Sequence, residues 1–157
     1  MSVVIFSNPV RSGKTTALQH WCNKQKNIAG ILMPDINGIR NIRDIRSKET
    51  FIIECEDPQK TNEALINIGR FYFYAHAFEK ANAILLAEAQ KPYDWLVVDE
   101  AGRLELDGKG FNPALNEIIG KGNYKNLLLV VRESLCFQAI SFFKITDYRV
   151  IRQLAEL

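Results

Sequence analysis

Apolar residues in this chain come in blocks whose spacing changes from one segment to the next. Val3 to Ser7 is a short continuous apolar run rich in β-branched residues, the pattern of a strand covered on both faces of a parallel sheet. From Lys14 to about Lys26 the apolar positions Ala17, Leu18, Trp21 and Cys22 recur at helical spacing, so a helix is expected after an intervening loop. IAGILMPDI and ETFIIECE predict strands, and Asn37-Gly38 between them predicts a hairpin because both turn positions want positive φ. Thr61 to Ile68 predicts a short helix, Arg70 to Tyr74 a short aromatic strand, and Ala75 to Gln90 a longer amphipathic helix closed by Lys91-Pro92. WLVVDE, residues 95–100, is another buried-strand run. A helix over Phe111 to Ile119, a strand over Asn126 to Val131, a helix over Ser134 to Lys144 and a last strand over Tyr148 to Ile151 complete the pattern. Apolar strands alternating with amphipathic helices predict an α/β domain with a mainly parallel central sheet and an antiparallel hairpin insertion.

Two strand ends carry the candidate chemistry. NPVRSGKTT, residues 8–16, follows the first strand and opens the first helix. That is the context required of a phosphate-binding loop, G-x-x-x-x-G-K-[ST], whose backbone N–H groups wrap phosphates while the Lys reaches the β and γ oxygens and the hydroxyl holds magnesium. Gly13, Lys14 and Thr15 match this pattern, and Asn8 stands where the first Gly belongs. That glycine permits a sharp turn, and Asn is among the few residues that tolerate left-handed backbone geometry, so the expected defect is mild. The candidate nucleotide-binding residues are therefore Asn8, Pro9, Val10, Arg11, Ser12, Gly13, Lys14, Thr15 and Thr16. Gly-Lys-Thr by itself is equally read as a lysine just inside a helix.

In WLVVDE, Asp99 and Glu100 stand at the carboxyl end of a buried strand, where open α/β sheets present their ligand crevice. An Asp there can join Thr15 in holding the magnesium shell that neutralises charge on the β and γ phosphates. The adjacent Glu100 is the candidate general base for an attacking water. Transition-state charge on a γ-phosphate often recruits an arginine, and Arg132, which ends the following apolar strand, is the favoured candidate over Arg11, Arg70 and Arg103.

Composition narrows the partners. The 157 residues favour one domain spanning 1–157, and chains of this length bury roughly two-thirds of the surface that the unfolded form exposes. Twenty Lys and Arg against eighteen Asp and Glu leave a formal charge of +2, too small to argue for polyanion binding by bulk electrostatics. GIRNIRDIRSK is locally basic, but such charges more often guard a sheet edge than contact nucleic acid. The three cysteines form no Cys-x-x-Cys pair, and the two histidines are isolated, which suggests neither a disulfide framework nor a zinc site. No basic leader precedes the first apolar stretch and no segment approaches the ~20 apolar residues of a membrane span, so a cytoplasmic protein is expected.

SGKTT and VVDE resemble the P-loop nucleoside-triphosphatases first described from thermophiles, which have a RecA-like core. VVDEAGRLEL followed by GKGF and a helix, AGILMPDI, the Arg-bearing hairpin and GRFYFYAHAFEKA are similar to that family in order, over about residues 3–132. The resemblance implies a three-layer P-loop fold and magnesium-dependent hydrolysis of nucleoside triphosphates such as ATP or GTP, with little base preference. It also implies Lys14 on the phosphates, Thr15 and Asp99 on the metal, and Glu100 as base. Two alternatives use the same residues: a small-molecule or nucleotide kinase, and a nucleotide-dependent switch with slow turnover.

Overall fold

The computed structural model describes residues 2–9 and 13–157. At its centre lies an eight-stranded sheet. The first strand, β1 (Ser2–Asn8), runs between β10 (Tyr148–Ile151) and β9 (Asn126–Arg132), and β9 in turn pairs with β8 (Trp95–Ala101). Next come β2 (Ile28–Leu32), β4 (Ile39–Asp44) and β3 (Asp35–Ile36), with β5 (Thr50–Ile52) also paired to β4. Strands β10, β1, β9, β8 and β2 are all parallel, whereas β4 joins β2, β3 and β5 antiparallel.

Alternation along the parallel strands divides the core in two, because successive side chains point to opposite faces. Val4 and Phe6 of β1, Leu128 and Val130 of β9 and Val97 of β8 pack with Leu18 and Cys22 of the first helix, α1 (Lys14–Cys22). Val3 and Ile5, Leu127 and Leu129, and Leu96 and Val98 face the opposite layer. That layer contains α2 (Ala75–Ala89), the short α3 (Arg103–Leu106), α4 (Asn112–Ile118) and α5 (Cys136–Phe142). The three-layer α/β arrangement expected from the resemblance is present, and the continuous apolar runs are the strands covered on both sides. Gly30 of β2 has φ near +121°, and a Cβ there would lie 2.0 Å from the carbonyl oxygen of Val97. Only glycine lets β2 and β8 approach this closely.

Several boundaries differ from the expectations. Helix α1 ends at Cys22, the last apolar residue of its stripe, and the polar stretch that follows forms turns instead of continuing to Lys26. The segment expected as a helix over 61–68 instead contributes β6 (Leu65–Ile68), which pairs antiparallel with β7 (Phe71–Tyr74) across a turn where Gly69 has φ 56°. A two-stranded hairpin of this kind is fixed by a partner strand and not by local period. The Asn37-Gly38 turn has the expected positive φ values, 55° and 82°, but it links β3 to β4, so the basic stretch after it is itself a strand. β4 is flanked on both sides, which removes the edge-guarding explanation for its arginines.

Candidate functional site

Because β1, β9 and β8 are parallel neighbours, their carboxyl ends lie along one rim of the sheet. Asn8 and Arg132 are register partners there, and the end of β8 carries Asp99 and Glu100. Three of the chain's candidate segments therefore meet where an open α/β sheet offers its crevice.

Gly13 stands at the N-cap of α1 with φ 73°, a left-handed conformation that glycine adopts without strain. Lys14 is buried, and its Nζ donates to the carbonyl oxygens of Pro9 at 3.1 Å and Asn8 at 3.4 Å. A buried ammonium whose partners among the described residues are two carbonyls is available to a stronger anionic partner. Val10, Arg11 and Ser12, also expected in the loop, lie outside the described residues. Thr16 lines the same cavity as Gly13, Lys14 and Thr15.

Asn8 corrects one expectation. It does not adopt left-handed geometry in place of the usual glycine; it is the last residue of β1, and its Nδ2 donates to the carbonyl oxygen of Arg152 at 2.7 Å. The chain keeps extended backbone through this position, and the amide side chain ties the start of the loop to the segment after β10.

Asp99 and Glu100 face different surroundings. The register of β8 against β9 shifts between Val98 and Ala101, an irregularity that re-aims the two acidic side chains. Asp99 is 1% exposed, accepts from the Met33 backbone N–H at 3.1 Å, and accepts from the Thr15 hydroxyl at 3.5 Å. Burial pushes its carboxyl up to about 6, against the lowering effect of the Met33 hydrogen bond. A hydroxyl and a carboxylate side by side are hard oxygen donors of the kind magnesium takes. Among the described residues no cluster of three His, Cys, Asp or Glu side chains forms a metal site. Thr15 and Asp99 thus fit a cation that takes its remaining ligands from water and substrate oxygens.

Glu100 is only partly buried, and its Oε1 accepts from Arg132 Nε at 2.7 Å. Both line a cavity of about 620 Å3 together with Lys14 and Thr15. The wall opposite the loop includes Arg40, Arg70, Phe71 and Glu54. The sequence offers Arg70 as a candidate arginine, but Arg40 only as one charge of a basic hairpin. Its place beside the cavity follows from β4 pairing with β2, which no local motif announces. Arg103 lines a second, adjoining cavity.

No helix is long and apolar enough to cross a membrane among the described residues. No curated protein matches the chain. Two solved structures share its fold. THEP1 from the hyperthermophile Aquifex aeolicus aligns at 20% identity with a TM-score of 0.73, over 99% of this chain and 91% of that one. A human cancer-related nucleoside triphosphatase, solved in solution, aligns at 18% identity with a TM-score of 0.66, over 97% of this chain and 88% of that one. A family model described as NTPase matches residues 3–153, which carries the likeness past Arg132 and through β10. With that match spanning nearly the whole chain, the protein belongs to the NTPase family, P-loop enzymes that hydrolyse nucleoside triphosphates.

Proposed function

We propose that the chain acts as one P-loop domain that binds a magnesium–nucleoside triphosphate and releases its γ-phosphate to water, with little preference for the base. The observation that carries this reading is the convergence of Lys14, Thr15, Asp99 and Glu100 on one rim, with the Thr15–Asp99 contact bridging 84 residues of sequence. Arg132 adds a cation to the same cavity. Every one of these groups acts on the phosphate chain and none on a base.

Backbone N–H groups at the start of α1 hold the phosphates, and Lys14 exchanges the carbonyls of Asn8 and Pro9 for β and γ oxygens. Thr15 and Asp99 hold magnesium, which when bound neutralises charge on the β and γ phosphates. Glu100 accepts a proton from the attacking water through a carboxylate oxygen, while the pair with Arg132 orients it. As the new P–O bond forms, the bond from the γ-phosphorus to the bridging oxygen breaks and the nucleoside diphosphate departs. Arg132, held 2.7 Å from Glu100, is within reach of charge that builds on the transferring group.

The test is Glu100→Gln, which keeps size and hydrogen bonding but removes the base. Steady-state phosphate release should fall by about 10²–10⁴-fold. Affinity for a nonhydrolysable triphosphate should remain within a few-fold. Turnover at the native rate would remove Glu100 from the mechanism.

A further inference from the structure

A second cavity, about 440 Å3, adjoins the first across the Glu100–Arg132 pair. Of these two, Lys14 and Thr15 line the first and not the second, Ile68, Arg103 and Phe111 line the second and not the first, and Glu100, Arg132, Arg40, Arg70 and Phe71 line both. The second cavity therefore begins where a triphosphate seated on Lys14 ends, on its γ side. The base of that same nucleotide lies at the other end of the phosphate chain and cannot occupy it.

The lining has two kinds of surface. One is aromatic: Phe71 stacks on Phe73 at 6.3 Å between ring centres, Phe73 meets Phe78 edge-on at 6.0 Å, and Phe78 meets Phe111 edge-on at 5.1 Å. The outermost ring, Phe71, is only partly buried and carries the Arg70 guanidinium 4.9 Å from its centre. The other surface is cationic. Arg40, Arg70 and Arg103 form no ion pair among the described residues. The two carboxylates in the lining are already engaged: Glu100 by Arg132, and Glu105 by the backbone N–H groups of Gly102 at 2.7 Å and Phe111 at 2.9 Å. Cavities of a few hundred Å3 that pair apolar walls with a few convergent polar groups are the usual form of small-molecule sites. This one suits a planar aromatic group beside Phe71 and an anion among arginines that also face the γ-phosphate position.

We propose that this cavity is an acceptor subsite for a nucleoside monophosphate, its base against the aromatic wall and its phosphate toward Arg40, Arg70 and Arg132. The inference rests on the triphosphate reading above for its donor. An oxygen lone pair of the dianionic acceptor phosphate attacks the γ-phosphorus, and a P–O–P bond forms. The bond to the β–γ bridging oxygen breaks and its electron pair leaves with the donor diphosphate. No proton need move and nothing is oxidised; the products are two nucleoside diphosphates. Water is the acceptor when the cavity holds no monophosphate.

AMP, GMP, CMP and UMP are each titrated calorimetrically into the full chain saturated with magnesium and a nonhydrolysable ATP analogue. Transfer of γ-labelled phosphate from ATP to each is followed in parallel. Ile68→Trp fills the second cavity and Arg103→Ala removes a cation that lines it and does not line the first. At least one monophosphate should bind and become labelled in the native protein. Each variant should weaken that binding by about tenfold, while analogue affinity and phosphate release to water stay within about twofold. Failure of all four to bind, binding without labelling, or binding indifferent to both variants overturns the proposal. So does a loss of ATP-analogue affinity in Ile68→Trp with its fold intact by circular dichroism, since the cavity would then hold the donor. Analogue binding and phosphate release in the native protein report separately on the triphosphatase reading.

Discussion

The parallel centre of the sheet and the antiparallel region over residues 35–74 build opposite walls of the same cavity by different means. In the centre, β1, β9 and β8 are apolar on both faces and buried, and their polar residues are pushed to the carboxyl rim. Position there is set by strand register, so Asn8, Arg132 and the Asp99–Glu100 pair reach one place because their strands are neighbours. The antiparallel region consists of short strands joined by turns, and it presents Arg40, Arg70 and Phe71 from across the gap. A rigid centre with functional groups at its rim suits chemistry that tolerates little displacement. The opposite wall, with fewer buried side chains, suits the shaping of what enters.

If the centre carries the phosphate chemistry, Lys14→Ala should join Glu100→Gln among the largest effects and, unlike it, should also cost binding. Removing a buried cation aimed at developing phosphate charge should reduce turnover on the order of 10³-fold and weaken triphosphate binding as well. Steady-state phosphate release and calorimetry check both. A loss confined to stability, with turnover per folded molecule unchanged, would make Lys14 a structural residue of the helix start.

The next effect belongs to Asp99. Its carboxyl is raised from 3.8 to about 6, chiefly by burial, so the folded state binds a proton more tightly than the unfolded chain. Its contribution to stability is therefore full below about pH 4 and is lost as pH rises through about 6. The whole change is on the order of 3 kcal/mol. Urea unfolding of the metal-free protein should show this decline, and Asp99→Asn should remove it from the profile. Parallel profiles for the two proteins would mean that the rim is wetter than its geometry indicates.

The smallest effect should come from the outer region. Lys80 of α2 pairs with Glu49 and lies 4.4 Å from the centre of the Phe51 ring, linking the helix layer to β5 through half-exposed side chains. Lys80→Ala should change stability by no more than about 1 kcal/mol in a urea melt. A larger loss would show that the antiparallel wall is held as firmly as the centre.

The same division explains what could be read in the sequence. Continuous apolar runs exposed β1, β8 and β9, and Gly13-Lys14-Thr15 and Asp99-Glu100 were legible because each abuts such a run. The hairpin of β6 and β7 was not, because Leu65–Ile68 is a four-residue segment whose pairing with Phe71–Tyr74 outweighs any local period. Asn8 stays extended because its side chain has a distant partner at Arg152, a contact no spacing rule predicts. Arg40 is one basic residue among several in its stretch, and only the antiparallel pairing of β4 with β2 brings it to the rim.

A structure of the chain with magnesium and a nonhydrolysable nucleoside triphosphate tests the central claim most directly. The phosphates should lie against Gly13 to Thr16, with Lys14 Nζ moved from the Asn8 and Pro9 carbonyls to phosphate oxygens and the metal between Thr15 and Asp99. A nucleotide bound elsewhere, with Lys14 still resting on those two carbonyls, would contradict it.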